Sequence, residues 1–370
     1  MKPRLSVTAS LLLLMLALTA GSSAPPSPWL KVDAQPVWPA QSSDPLVANL
    51  TPAAIVRPGA PQGLRAPATQ PLPGESQWNQ RFMVKFRDQV TRHRVMGVFL
   101  LPGEDLSLET LPAGVGSAPI YALEWSRGEV TQLALNRWCW KAPQDPGLYP
   151  VKILDHVGQD STLLNMFVMV PFDRIQDGQL NRYRIGHYPT VSLNNKPVYD
   201  PPRGFVEITT ENAGTLVTPH FKLEQFACKQ EQGLPKYVVL QEGLLLTLET
   251  ILEELNKDSY RASTLHIMSG YRTPYYNQAI GNVRYSCHQW GVAADIFVDT
   301  DGDEMMDDLN QDGRIDEGDA GVLVDIVEKI SARTADSQPI AGGLAKYKAT
   351  HSHGPFVHVD VRGFQARWGT

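Results

Sequence analysis

The pattern of hydrophobic positions changes character once along the chain. Between residues 77 and 170 apolar side chains come in short runs, 81–86, 95–101, 149–154 and 165–170, rich in β-branched and aromatic residues. Turn-forming Pro, Gly and Asp separate them at 102–105 and 142–147. Short strands at this spacing predict a small β-sandwich-like domain over residues 76–200. Asp200-Pro201-Pro202-Arg203-Gly204 then marks a passage, after which a helical period takes over. Leu244, Leu248, Ile251, Leu252 and Leu255 fall on one helix face, with Glu249, Glu253 and Glu254 opposite, which predicts a structural helix without chemistry on its polar side. Short strands follow at 264–268, 295–298 and 356–361, and Leu323, Ile326, Val327 and Ile330 give a later helix its apolar face. The second part, 205–370, therefore reads as an α+β domain with a central antiparallel sheet and flanking helices.

The N-terminal stretches ahead of this pattern have simpler explanations. Lys2 and Arg4 precede an apolar stretch at 11–18 and small residues up to Ala24, the form of a secretory signal peptide over residues 1–24. The stretch is short for a membrane span, so an uncleaved anchor is the weaker reading, and the mature chain is expected to be periplasmic or otherwise extracytoplasmic. Residues 25–75 carry prolines every few positions and read as a semi-stiff linker.

Composition adds exclusions. The 370 residues, 42% hydrophobic and 19% charged, suit two globular domains plus tails. A net charge of −6 without a basic patch argues against a nucleic-acid partner. Cys139, Cys228 and Cys287 are too few for a disulfide scaffold; Cys228 and Cys287 are a candidate pair, and Cys139, between Trp138 and Trp140, reads as core.

The candidate chemistry lies in the second part. His288 and Asp295 stand either side of Gly291, so they do not form a helical pair, and Asp295 shares a strand face with Phe297. On the strand 356–361, His358 and Asp360 project to one side. Two such strands side by side, with the His288 loop, bring two imidazoles and one carboxylate together. Such a set holds Zn²⁺ with a position left for water, whereas a structural site would be closed by four ligands. His266 reads as a core or edge histidine.

Ser269-Gly270-Tyr271-Arg272-Thr273-Pro274, Ser286-x-His288-x-x-Gly291-x-Ala293-x-Asp295 and His358-Val359-Asp360 resemble the motif set of the zinc D-Ala-D-Ala carboxypeptidase and murein endopeptidase family. That family shares a fold with lysostaphin-type enzymes and hedgehog signalling domains, and the resemblance covers about residues 218–370. It implies one zinc held by His288, Asp295 and His358, and hydrolysis of peptidoglycan stem or cross-link peptides by a D,D- or L,D-peptidase. Arg272 matches the family's arginine that assists the substrate carbonyl or carboxylate; the other reading is that it only holds its loop by pairing with an acid. Ser286 and Tyr271 are the expected substrate-binding residues, Ser286 also as a partner orienting His288. Relatives often carry Glu or Asp three residues before the last zinc histidine, where this chain has Pro355. The base is then Asp360, unless that residue only orients His358, or His353 or His351 from the preceding loop. Without a base, the alternative is a non-catalytic zinc- and calcium-containing wall-binding or scaffold protein. A weaker resemblance links 138–149 to immunoglobulin-like accessory domains, with a spacer role.

An acidic insert at 299–320 contains a second metal candidate. Asp308, Asn310, Asp312, Arg314 (through its carbonyl), Asp316 and Asp319 follow the spacing of a Ca²⁺ loop, with Gly313 at its sixth position and Asp319 in place of the usual glutamate. The expected ion is structural. A further ion at 299–303 is a weaker expectation, because Gly302 is off register.

Overall fold

The structure, a computed structural model, describes residues 57–58, 78–113, 120–155, 160–333 and 342–369. The signal peptide expected at 1–24, and the linker at 25–75 apart from 57–58, lie outside the described residues. The described residues fall in one compact unit, Asn49–Thr370. Its architecture is mixed α and β, with several mostly antiparallel sheets and few helices. No helix among the described residues is long and apolar enough to cross a membrane.

Residues 57–58 and 78–168 build two five-stranded sheets. One runs in the order Gln89–Thr91, Phe82–Phe86, Asp105–Pro112, Arg137–Lys141, Glu129–Ala134, all antiparallel. The other joins Arg57–Pro58, Tyr121–Trp125, Gly147–Asp155, Ser161–Val168 and Val95–Leu100, with parallel pairing at both edges. Alternation decides what each strand buries: Phe82, Val84 and Phe86, then Leu106 and Leu108, then Trp138 and Trp140 turn inward. Phe82 meets Tyr121 of the other sheet with ring centroids 4.8 Å apart.

The sheet that carries the candidate chemistry is C-terminal. Its strands are β1 (His266–Ser269), β2 (Ala293–Phe297), β3 (Gly343–Tyr347), β4 (Phe356–Asp360) and β5 (Ala366–Gly369), in the order β1-β2-β4-β3-β5. All pairings are antiparallel except β3 with β5. Helices α1 (Glu242–Lys257) and α3 (Glu317–Arg333) pack on each other, and α3 lies against β3 and β4. The short α2 (Pro274–Ala279) follows β1; Thr273 caps it by accepting from the Tyr276 amide at 3.0 Å.

Helix α1 departs from its expected amphipathic form. Glu249 and Glu254, placed by sequence on the solvent face, are buried. Glu249 accepts from the His220 backbone at 3.0 Å and meets its Nδ1 at 2.6 Å, while Glu254 pairs with Lys257 and Lys329. The helix is covered on both sides, so its acids need partners from distant segments. All three cysteines are free; Cys228 and Cys287 are both buried, and Cys139 is half-buried. Burial pushes the Cys287 thiol up to about 12.

Candidate metal centre

One cross-strand rung of the sheet positions the centre. Ser269 on β1 pairs with Asp295 on β2, Asp295 with His358 on β4, His358 with Ala345 on β3, and Ala345 with Trp368 on β5. Directly paired residues point to the same face, so these side chains stand in a row. The next rung holds Ala293, Asp360 and Gly343, small except for the one acid.

His288 comes from the 3₁₀ turn Cys287–Trp290, which ends at Gly291. Gly291 has φ +65°, and a Cβ there would fall 2.3 Å from the Val239 carbonyl oxygen. Only glycine allows both the left-handed backbone and that approach. The turn is fastened from two sides: the Arg272 amide donates to the His288 carbonyl at 3.2 Å, and His288 Nδ1 donates to the Gly270 carbonyl at 2.6 Å.

The three candidate ligands therefore meet. Asp295 Oδ1 lies 3.1 Å from His288 Nε2 and 2.9 Å from His358 Nδ1, and the two nitrogens are 3.2 Å apart. All three residues are buried. The outer nitrogens fix the tautomers. Gly270 O can only accept, so His288 Nδ1 carries hydrogen; His358 Nε2 donates to Asp360 Oδ2 at 3.0 Å. In the neutral rings, two nitrogen lone pairs and a carboxylate oxygen then face one another. Such a set repels itself unless a cation or a proton lies between. Tetrahedral Zn²⁺ with bonds of about 2.0–2.1 Å separates its ligand atoms by roughly 3.3 Å, close to this triangle. The residues fit a zinc ion, and each histidine has the outer hydrogen-bond partner that metal-bound imidazoles use.

Charge acts on the two rings in opposite directions: burial works against an imidazolium at His358, but its contacts with Asp295 and Asp360 raise its pKa overall. Burial lowers the His288 pKa, so its ring is held neutral as a ligand must be. Burial acts to raise Asp295, but His288 and His358 hold it well below the usual carboxylate range. Burial likewise opposes ionisation of Asp360, which His358 and Arg362 nevertheless keep ionised.

The other expected site residues fall into two groups. Arg272 belongs to the centre: its Nη2 donates to Asp295 Oδ2, and its Nε to Ser269 Oγ at 2.8 Å. Its acid partner is thus the ligand carboxylate itself. Asp360 is also part of it, but behind His358: it accepts from Arg362 Nε and Nη2, from the Gly343 amide at 2.7 Å and from His358. Ser286 is buried at the start of the His288 turn, where its carbonyl accepts from the Gln289 amide at 3.0 Å. Tyr271 is enclosed, its hydroxyl 2.8 Å from that of Tyr188. His353 is half-buried on the loop before β4, with Nδ1 2.8 Å from the Gly354 carbonyl and its ring edge-on to Phe356 at 5.0 Å; His351 is exposed.

Arg362 and Trp368 border the centre without having been singled out by sequence. Asp360-x-Arg362 at strand spacing was the only available signal for Arg362; Trp368 gave none, because its neighbours come from a parallel pairing.

In the acidic insert, Asp308 accepts from the Asp312 and Gly313 amides, and Asp312 Oδ1 from that of Arg314. Asp316 Oδ1 accepts from the Gly318 amide. Asp319 is fully buried and accepts from Leu309, Asn310 and Asp316. Asn310 Nδ2 approaches Asp312 Oδ2 at 3.3 Å. Upstream, Asp299, Asp301 and Asp307 each offer an oxygen within 4.8 Å of the others. That set replaces the 299–303 grouping read from sequence, because the turn at Gly302 folds the chain back and brings Asp307 alongside.

A buried His₂Asp cluster on one sheet face, with an arginine on the carboxylate, offers three converging ligand atoms that could hold a divalent metal ion. Residues 219–321 match the family model described as Peptidase M15, a segment that contains Arg272, His288 and Asp295 and ends before His358. The match covers less than half of the chain and supports the resemblance to zinc D-Ala-D-Ala carboxypeptidases. No curated protein and no solved structure matches the chain.

Proposed function

We propose that the protein is an exported zinc metallopeptidase that hydrolyses stem or cross-link peptides of peptidoglycan, as a carboxypeptidase or an endopeptidase. The observation that carries this reading is the convergence of His288 Nε2, His358 Nδ1 and Asp295 Oδ1, with both outer imidazole nitrogens already committed. The M15 match supports peptidase chemistry, and the N-terminal signal pattern and proline-rich tether support a substrate outside the cytoplasm.

Bound zinc would acidify a water molecule and polarise the scissile carbonyl. The chain's own groups supply the rest. Arg272 holds Asp295 Oδ2 and Ser269 with two donors, while its Nη1 makes no hydrogen bond among the described residues. That donor is the one for the substrate oxyanion or carboxylate. Asp360, saturated by Arg362, Gly343 and His358, acts as a positioning residue that fixes the His358 tautomer. His353 then moves the proton: it sits beside Phe356, which shares the strand face of His358. Ser286 shapes the His288 turn, and Tyr271 backs the site through Tyr188 rather than by direct contact with substrate.

The loop from Asp308 to Asp319 is proposed to take a structural Ca²⁺. The support is its ligand spacing and the left-handed Gly313 at φ +80°. Calcium titration by calorimetry tests it, and absence of both heat and a change in melting temperature would remove this ion.

The functional test is digestion of purified muropeptides with zinc-replete protein, with and without chelator. New products are expected only without chelator. A zinc-bearing protein that yields no product from any muropeptide would instead be the wall-binding or scaffold protein.

A further inference from the structure

We propose that Trp368, on the last strand, is a substrate-binding residue whose indole receives the aliphatic side chain of the peptide residue adjoining the scissile bond. This rests on the peptidase reading above and adds a specificity determinant from outside the segment that matches the family.

Trp368 lies on the same rung as Asp295 and His358, separated from His358 only by Ala345. A methyl group at that position leaves the sheet face low, and the indole lies across it to reach within 5.1 Å of the His358 imidazole, centroid to centroid. On the neighbouring rung Gly343 makes the seat. A Cβ there would fall 2.6 Å from Trp368 Cη2 and 2.2 Å from Asp360 Oδ2, so a side chain at 343 and an indole in this place exclude each other.

The ring is fixed in place. Its Nε1 donates to the Tyr347 hydroxyl at 2.8 Å, and the Arg362 guanidinium, itself held by Asp360, stands 4.9 Å from its centroid. Tyr347 stacks on Phe356 at 4.6 Å, and His353 meets Phe356 edge-on. Trp368, Tyr347, Phe356 and His353 thus form a wall beside the metal ligands. Of this wall Phe356 is buried, whereas Trp368 remains 38% exposed. A lone exposed apolar residue needs no explanation. An indole locked by three neighbours, touching a metal-ligand histidine and open to solvent, is a preorganised binding surface. It is flat and apolar, with its one donor already used, so it selects for aliphatic rather than polar or charged side chains.

The experiment uses the full-length protein with the W368A and W368F variants and muropeptides from digested sacculi as the probe. Four quantities are measured: zinc per chain, kcat, KM, and tryptophan fluorescence of chelator-treated protein titrated with the muropeptides. W368A is expected to raise KM about tenfold with kcat within about twofold, and W368F to restore most of the loss. Zinc content is expected to stay at the wild-type level, and the fluorescence change of the wild type to vanish in W368F. An unaltered KM in W368A overturns the proposal, and so does a loss of zinc and kcat together, which marks a structural role. If the wild type hydrolyses nothing, the peptidase reading fails alone, provided the fluorescence change is still seen and still depends on Trp368. Absence of that change as well overturns both.

Discussion

Asp295 Oδ1 and His358 Nδ1 face each other at 2.9 Å across two antiparallel strands in direct register. The sheet thereby sets the spacing of two ligands through backbone pairing, and only His288 depends on a loop. A change in either strand ligand should abolish metal binding without unfolding the sheet. His358→Ala is expected to reduce zinc from one per chain to a trace, measured by elemental analysis, with the circular dichroism spectrum kept. Asp360→Asn keeps the ligands but removes the charge that orients His358, so zinc affinity by chelator competition should fall about 10–100-fold. Unchanged affinity would remove Asp360 from the design.

Arg272 uses separate donors for Ser269 and Asp295, a geometry a planar guanidinium supplies and an ammonium does not. Arg272→Lys should retain zinc yet lower kcat by about 10²-fold on muropeptides, the scale of losing one oxyanion donor. A variant with wild-type kcat would confine Arg272 to holding Asp295.

Gly291→Ala tests whether the His288 turn is built by backbone geometry. The added Cβ would overlap Val239 O and C, and the residue would have to keep φ +65°. Main-chain atoms cannot move aside as a flexible side chain can, so a loss of about 3 kcal/mol is expected in denaturant unfolding, with reduced zinc content. A stability equal to the wild type would mean that the turn has another conformation within reach.

What could be read from sequence was local. The strand alternation around His358 and the leucine spacing of α1 depend on residues a few positions apart, and both elements form where they were expected. The spacer around Gly291 announced a turn for the same reason. Burial of Glu249 was not readable, because its partner His220 lies 29 residues earlier and nothing in the helix period announces a covered second face. Trp368 was invisible for a related reason: a parallel edge strand takes its neighbours from a crossover, not from adjacent sequence. The grouping of Asp307 with Asp299 and Asp301 needed the fold of the turn at Gly302, and Arg272 had an acid partner in prospect whose identity only the folded chain reveals.

Glu253 gives a prediction independent of the metal. Burial, together with the charge of Glu249 one turn earlier, raises its pKa from 4.5 to about 7, against the pull of Lys257. Because this is an acid with a raised folded-state pKa, the folded chain keeps a proton that the unfolded chain has released. Stability from this group therefore falls as pH rises from about 4.5 to about 7; the cost is complete above that window and absent below it. Glu253→Gln removes the ionisable group but keeps the shape. After allowance for the solvent that screens a half-buried carboxylate, it should stabilise the protein by about 1 kcal/mol at pH 8 and by nothing at pH 4. Paired thermal melts of wild type and variant at both pH values check this. An equal shift at the two would show that the gain comes from helix propensity or packing, and that Glu253 titrates no differently in the folded chain than in the unfolded one.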